Sequence, residues 1–217
     1  MVIKALIFDM DGTLVNSLSG IVQAMNRILL NAGFPTHSEK AYLGYVGAGI
    51  ETLVTRSLPR NQRTPEQISS SVLDLRWEYS FTWRNCGSLY DRIPQLLDSL
   101  TGSGLAMAIL SNKPHDFTEQ FTEYFLARWK FNPVQGAEIG KPKKPDPESA
   151  LMIAKNLNLS PTQIMIIGDS GIDMETASNA GMIPVGVSWG YRSVEELKTA
   201  GAKFIIDNPS DLLNLIH

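Results

Sequence analysis

The chain has 217 residues, a net charge of −3 and an apolar fraction of 43%, which is typical of a globular protein with one sizeable core. This charge balance offers no basic surface for nucleic acid, and no apolar run approaches the ~18 residues of a membrane span, so we expect neither partner. Cys86 is the single cysteine, which excludes an internal disulfide and predicts a reducing, cytoplasmic location.

Short apolar segments alternate with amphipathic segments of helical length along most of the chain. The apolar segments, in chain order, are ALIF before Asp9, LAMAIL before Ser111, QIMIIG before Asp169, MIPVGVSW before Gly190 and KFIID at residues 203–207. They are near-continuous rather than alternating, which indicates strands buried on both faces of a parallel sheet. Between them, segments such as residues 88–104 have apolar positions at helical spacing. The pattern predicts an α/β core.

Residues 15–87 contain no comparable buried strand. Three segments in this stretch have the pattern of amphipathic helices, the first of them closed by Gly33. We therefore predict a core domain of residues 1–14 plus 88–217 and an all-helical insert of residues 15–87. Because ligands of open α/β sheets bind at the carboxyl ends of the strands, this insert is placed to cover the site. Four alternating aromatic residues are predicted to pack where the insert ends: Trp77, Tyr79, Phe81 and Trp83.

Polar residues follow three of the predicted strands. They are Asp9, Asp11 and Thr13 after the first strand, Ser111 and Asn112 after the second, and Asp169, Ser170 and Asp173 after the third, with Lys141, Lys143 and Lys144 in the preceding stretch GKPKKPDP. Carboxylates that converge in a dry cleft repel one another, and a hard divalent cation is the simplest way to neutralise them. A lysine and a Ser–Asn pair would add an anion pocket. Together they predict a Mg²⁺ site and phosphoryl transfer on a small phosphorylated substrate.

Four motifs, in this order, resemble those of the haloacid dehalogenase-like (HAD) phosphohydrolases. FDMDGTLVNS resembles the first motif, AILSNK the second, KKPDPE the third and IIGDSGIDMETASNAGM the fourth. The resemblance implies a three-layer, Rossmann-like parallel sheet core with an inserted all-helical cap domain of the C1 type. The stretch YVGAGIETLVTRSLP and the C-terminal segment are similar to those of the phosphoglycolate phosphatase subgroup.

The resemblance also implies a role for each matching residue. Asp9 would attack phosphorus to form an aspartyl-phosphate, and Asp11 would protonate the leaving oxygen and then activate the hydrolytic water. The metal would be held by the side chains of Asp9 and Asp169 and by the backbone carbonyl of Asp11. Ser111 would bind the phosphoryl oxygens, and Lys144 would neutralise charge on the nucleophile and the phosphate.

Further residues are expected to contact the substrate or to support the metal ligands. Phosphate and substrate binding is assigned to Gly12, Thr13, Ser111, Asn112 and Lys144 in the core, and to Gly47 and Arg56 in the insert. Asp173 and Ser170 are expected behind the metal ligands, although Asp173 could also touch the metal. Lys141 and Lys143 remain alternatives to Lys144, which is preferred because KPDP leads straight into a helix.

The predicted activity is Mg²⁺-dependent hydrolysis of a small phosphomonoester, with phosphoglycolate as the first compound to try, by a monomer or homodimer. The alternative is a sugar-phosphate mutase of the β-phosphoglucomutase type. A non-enzymatic phospho-receiver module and a hydrolytic dehalogenase are two further alternatives. Asn16 departs from the family pattern, which usually has aspartate there, and this difference bears on substrate choice more than on chemistry.

Overall fold

The computed structural model describes residues 2–216, so the first and last residues of the predicted core domain lie outside the described part. The chain divides into two units. The core unit takes the described residues up to Val15 and from Leu89 onward, and the helical unit takes Asn16–Ser88. None of the helices between residues 2 and 216 is long and apolar enough to cross a membrane.

The sheet of the core unit is parallel throughout. In chain order the strands of the described residues are β1 (Ala5–Phe8), β2 (Val15–Asn16), β3 (Ser88–Leu89), β4 (Ala106–Pro114), β5 (Val134–Ala137), β6 (Ile164–Gly168), β7 (Ile183–Val187) and β8 (Phe204–Ile206). The short strands β2 and β3 pair with each other, and the other six form one sheet in the order β5-β4-β1-β6-β7-β8. Its paired strands run parallel. Every residue of β1, β6 and β7 is buried, as expected for strands covered on both faces.

Helices form where the sequence combines an amphipathic pattern with a start signal. In chain order they are α1 (Leu18–Asn31), α2 (Glu39–Leu43), α3 (Ile50–Ser57), α4 (Pro65–Cys86), α5 (Ile93–Thr101), α6 (His115–Phe125), α7 (Glu148–Asn156), α8 (Gly171–Asn179) and α9 (Val194–Thr199). At the start of α4, Pro65 is the first helical residue and the Thr64 hydroxyl accepts the backbone N–H of Gln67. Ser193 caps α9 in the same way.

Both faces of the central strand β1 are buried. Ala5 and Ile7 belong to a core cluster with residues of α7 and α8, while Phe8 lies edge-on to Phe131, with 6.2 Å between ring centroids. Leu6 and Ile7 are completely buried, and each such side chain contributes about 1.5–3 kcal/mol. The parallel sheet with surrounding helices confirms the predicted Rossmann-like α/β fold.

The sheet differs from the predicted one at one edge. β4 continues beyond Leu110, through Ser111 and Lys113, to Pro114, because it pairs with β5 on both sides of a register shift. β5 is not among the predicted strands, because its four residues, VQGA, contain no apolar run. Gly136 is required in β5, since a Cβ atom there would lie 2.5 Å from the Cα of His115.

The helical unit separates the four aromatic residues of α4 onto two faces. Residues two positions apart lie about 200° apart around a helix, so strict alternation places consecutive aromatic residues on opposite sides. Tyr79 and Trp83 are buried, whereas Trp77 and Phe81 are 70% and 62% exposed, with their ring centroids 5.0 Å apart. Of the four residues predicted to pack where the insert ends, Tyr79 and Trp83 are therefore buried, whereas Trp77 and Phe81 lie on the surface.

Candidate active site

The carboxyl ends of β1, β4 and β6 meet at the point where the strand order reverses. β1 lies between β4 and β6, and Phe8 is in register with Ile109 on one side and Ile167 on the other. The backbone N–H of Asp9 donates to the carbonyl of Ile167 at 2.9 Å, which extends the ladder one residue beyond β1. Open α/β sheets bind their ligands at this kind of switch point.

Three buried carboxylates converge there: those of Asp9, Asp169 and Asp173. One oxygen from each lies within 4.8 Å of the others. Burial raises the pKa of Asp9 from 3.8 to about 6, and the charges of Asp173 and Asp11 add to this effect while Lys144 opposes it. Burial, together with the charges of Asp173 and Asp9, also holds the pKa of Asp169 well above its usual value. The positive charge of Lys144 therefore does not fully offset the burial of these negative charges.

Lys144 is the cation that the structure brings to these acids. Its Nζ lies 2.6 Å from Oδ1 of Asp173 and 2.9 Å from Oδ1 of Asp9. Burial alone would lower the pKa of Lys144, but the charges of Asp173 and Asp9 outweigh burial and hold that pKa above its usual range. Lys141 instead pairs with Glu138 at 2.8 Å, and Lys143 is exposed.

The donor set fits a hard divalent cation. Three carboxylates face the one ammonium group of Lys144, so a divalent cation would balance the remaining charge. Oδ1 of Asp9 is buried and lies 2.9 Å from the ammonium nitrogen of Lys144. Oδ2 of Asp173, in contrast, accepts from both the N–H and the hydroxyl of Ser170. Asp173 thus anchors Lys144, and it is held more closely by protein groups than Asp9 is.

The turn after Asp9 is closed tightly over Asp169. Gly12 has a φ of +87°, and a Cβ atom there would lie 2.3 Å from Oδ2 of Asp169, so only glycine fits. The hydroxyl of Thr13 lies 3.5 Å from Oδ1 of Asp169, at the limit of a hydrogen bond. The indole N–H of Trp189 donates to the Thr13 carbonyl at 3.1 Å. These contacts therefore hold the turn against Asp169, the residue that follows β6.

Ser111 and Asn112 are buried in the extended end of β4. The Ser111 hydroxyl accepts the backbone N–H of Lys113 at 3.3 Å. The Asn112 amide donates to the backbone carbonyl of Lys144 at 3.0 Å. Asn112 thus holds the Lys144 segment, a contact that the sequence analysis did not anticipate.

Two further residues, Lys113 and Tyr191, donate hydrogen bonds to acids of the site and were not among the predicted site residues. Lys113 donates to both carboxylate oxygens of Asp11, at 3.0 and 2.9 Å. Lys113 is the last residue of AILSNK, the stretch that resembles the second motif. The backbone N–H of Tyr191 donates to Oδ2 of Asp169 at 2.7 Å. Gly190 permits this approach, because a Cβ atom there would lie 2.1 Å from the Cβ of Asp169.

Gly47 and Arg56 belong to the helical unit. Gly47 has a φ of +100°, so the backbone turns there in a conformation that favours glycine. Arg56, in the last turn of α3, donates to the backbone carbonyl of Gly44 at 2.7 Å. Part of its guanidinium group therefore anchors the loop that precedes α3.

The raised pKa of Asp9 predicts how stability depends on pH in metal-free protein. Between pH 4 and about 6 the folded state binds more protons at Asp9 than the unfolded state does, so the free energy of unfolding falls as pH rises. The difference between 3.8 and about 6 corresponds to about 3 kcal/mol. Urea unfolding in EDTA over this range should show the decline, and an Asp9→Asn protein should show less of it.

Magnesium provides the control for that measurement. If the carboxylates hold the cation, Mg²⁺ at about a hundredfold excess over its dissociation constant should stabilise the wild-type protein by roughly 2.7 kcal/mol at neutral pH. An Asp169→Asn protein should gain much less. Equal stabilisation of both proteins would contradict the assignment of the cation to this cluster.

The chain is similar to known proteins over nearly its whole length. The haloacid dehalogenase-like hydrolase family matches residues 6–187. A phosphoglycolate phosphatase from Vibrio cholerae is 30% identical over 99% of this chain and 97% of its own length. A solved structure from Haemophilus somnus, described as a predicted phosphoglycolate phosphatase, has a TM-score of 0.91 at 26% identity and covers 99% of this chain and 98% of its own.

A second solved structure shows the fold alone. It comes from Bacteroides vulgatus, is provisionally described as a beta-phosphoglucomutase, and has a TM-score of 0.78 at 20% identity over 98% of this chain and 87% of its own. The curated relatives place the chain among phosphatases rather than dehalogenases. They confirm the resemblance drawn from the four motifs, and the chain belongs to the haloacid dehalogenase-like hydrolase family.

Proposed function

We propose that the protein is a Mg²⁺-dependent phosphomonoester hydrolase that works in two steps through Asp9. In the first step an Asp9 oxygen attacks phosphorus, the bond from phosphorus to the leaving oxygen breaks, and a proton passes from Asp11 to that oxygen. In the second step water attacks the aspartyl-phosphate, Asp11 accepts its proton, and the bond from phosphorus to Asp9 breaks. The products are an alcohol and inorganic phosphate.

One observation carries this proposal: Asp9, a buried nucleophile candidate, contacts the ammonium group of Lys144 and belongs to a cluster of three carboxylates at a sheet switch point. The positive charge of Lys144 supports attack by Asp9, since it keeps electron-rich phosphoryl oxygens and the attacking carboxylate together. Ser111 lies at the end of the adjacent strand, where a donor to phosphoryl oxygens is needed. Gly12 and Thr13 close the other side of this position.

The metal would be held by the side chains of Asp9 and Asp169 and by the backbone carbonyl of Asp11. When bound, Mg²⁺ would neutralise phosphate charge and lower the repulsion between substrate and nucleophile. Asp173 supports this arrangement by its contacts with Lys144 and Ser170. Its Oδ1 accepts from Lys144 and its Oδ2 accepts from Ser170, so we infer that it supports Lys144 behind the metal ligands.

Phosphoglycolate is the proposed substrate, because the most similar curated relatives include phosphoglycolate phosphatases. The helical unit is proposed as the cap that selects the substrate, with Gly47 and Arg56 as candidate contacts. Asn16 is exposed in β2, where its effect would fall on the connection to the cap rather than on the acids. The single cysteine supports the proposed cytoplasmic location.

A panel of phosphorylated metabolites tests the function. The purified protein with Mg²⁺ should release inorganic phosphate from at least one small phosphomonoester, with phosphoglycolate among the best. EDTA should abolish the release, and added Mg²⁺ should restore it. A hexose phosphate that is isomerised without phosphate release would favour the mutase, and a stable aspartyl-phosphate without turnover would favour the receiver module. Activity insensitive to EDTA would contradict the metal-dependent mechanism.

A further inference from the structure

Lys113 has no part in the two-step reaction described above, yet it is built into the same strand end. Its side chain is 4% exposed, and its Nζ donates to both oxygens of Asp11. The face of the Phe121 ring lies 4.2 Å from the same Nζ. A buried ammonium group between a carboxylate and an aromatic face is held in one position, and it holds the carboxylate in turn.

The two acids of the first motif therefore have different lysine partners. Asp9 contacts Lys144, whereas Asp11 contacts Lys113. Both acids follow β1 within three residues of its end, yet the structure gives each of them its own cation. Separate lysines keep the two carboxylates in separate places.

We propose that Lys113 is a positioning residue that holds the Asp11 carboxyl group where it exchanges a proton with the leaving oxygen. This inference rests on the proposed function. The contact depends on the extension of β4 to Pro114, which places Lys113 within the buried strand instead of in a mobile loop. Lys113 acts through Asp11 and needs no contact with the substrate.

The leaving group gives a readout that a general structural defect would not change. When the bond to an alkyl oxygen breaks, that oxygen must take the proton from Asp11. A dinitrophenolate leaves without a proton, so its departure is insensitive to the placement of Asp11. Loss of Lys113 should therefore slow the first step for alkyl esters and spare it for dinitrophenyl phosphate.

The experiment compares Lys113→Met, Lys113→Arg and the surface control Lys130→Met in single-turnover release of the leaving group with Mg²⁺. Lys113→Met should lose about a hundredfold in the rate with an alkyl phosphomonoester, the lower end of the range for general acid catalysis, and less than about threefold with dinitrophenyl phosphate. The KM should change little. Lys113→Arg keeps a cation with two parallel donors and should recover much of the loss. Lys130, which is exposed, should be neutral when replaced.

An Asp11→Asn background completes the test. If Lys113 acts only through Asp11, Lys113→Met should have almost no further effect there. Equal losses with both leaving groups, or an undiminished effect in the Asp11→Asn background, would overturn the positioning role alone. If Lys113→Met does not fold, Lys113→Gln, which keeps a polar side chain without the charge, is measured with the same two leaving groups and should show the same selective loss with the alkyl ester. A wild-type protein inactive on every phosphomonoester would overturn the proposed function and this inference with it.

Discussion

An Asp9→Asn protein is expected to lose at least about a thousandfold in phosphate release from every phosphomonoester, because an amide cannot attack phosphorus as a carboxylate does. The loss should appear in kcat rather than in KM. No aspartyl-phosphate should be trapped by rapid acid quenching. Steady-state kinetics on the substrate panel, together with the quench measurement on wild type and variant, check both statements.

Stability separates this chemical loss from misfolding. Burial and the neighbouring carboxylates raise the pKa of Asp9, so its charge destabilises the fold at neutral pH, and neutral asparagine should preserve or increase the free energy of unfolding. Asp91, which is 93% exposed, supplies a matched Asp→Asn control that should behave like wild type. A fully active Asp9→Asn protein would show that the nucleophile is another group.

Replacement of Lys144 by methionine should have the second large effect, on stability as well as on activity. The ammonium group contacts Asp9 and Asp173 from a buried position, so its removal leaves two buried carboxylates without their cation. Removing one partner of a buried ion pair costs about 3–5 kcal/mol. We expect a loss of this size in urea unfolding at neutral pH, and a loss of at least about a hundredfold in kcat.

Lys141 is the matched control for Lys144. It lies three residues earlier in the same loop, its side chain is 63% exposed, and its partner is Glu138. Lys141→Met should change stability by no more than about 0.5 kcal/mol and leave activity intact. Adding Asp9→Asn to the Lys144→Met protein should restore part of the stability, because fewer carboxylates then repel. Loss of activity in Lys141→Met with retention in Lys144→Met would transfer the catalytic role to Lys141.

Several features of the site were accessible from the sequence because they are local. The apolar run that ends at Asp9 indicates a buried strand with polar residues at its carboxyl end, and the structure has such a strand there. The spacing from Asp169 to Asp173 also has a local meaning, since Asp173 forms a capping box with Ser170 at the start of α8. These signals need no knowledge of distant contacts.

Other features depend on contacts between residues far apart in the chain. The choice between Lys141 and Lys144 follows from which one reaches Asp9, and four strands and six α-helices separate Asp9 from this loop in the chain. β5 has no apolar run, and it forms because its backbone pairs with that of β4. The alternation of Trp77 and Phe81 with their neighbours could not show which face of α4 the helical unit buries.

The sequence by itself determined the family, the parallel α/β class and the acids at the strand ends, because periodicity and strand-end chemistry are local properties of the chain. The tertiary structure decided how those acids are paired. It gave Asp9 the ammonium group of Lys144 and gave Asp11 that of Lys113, since the positions of buried charges are set by the packing of strands that are distant in sequence. The same packing excludes water, and the attraction between each lysine and its carboxylate is stronger as a result.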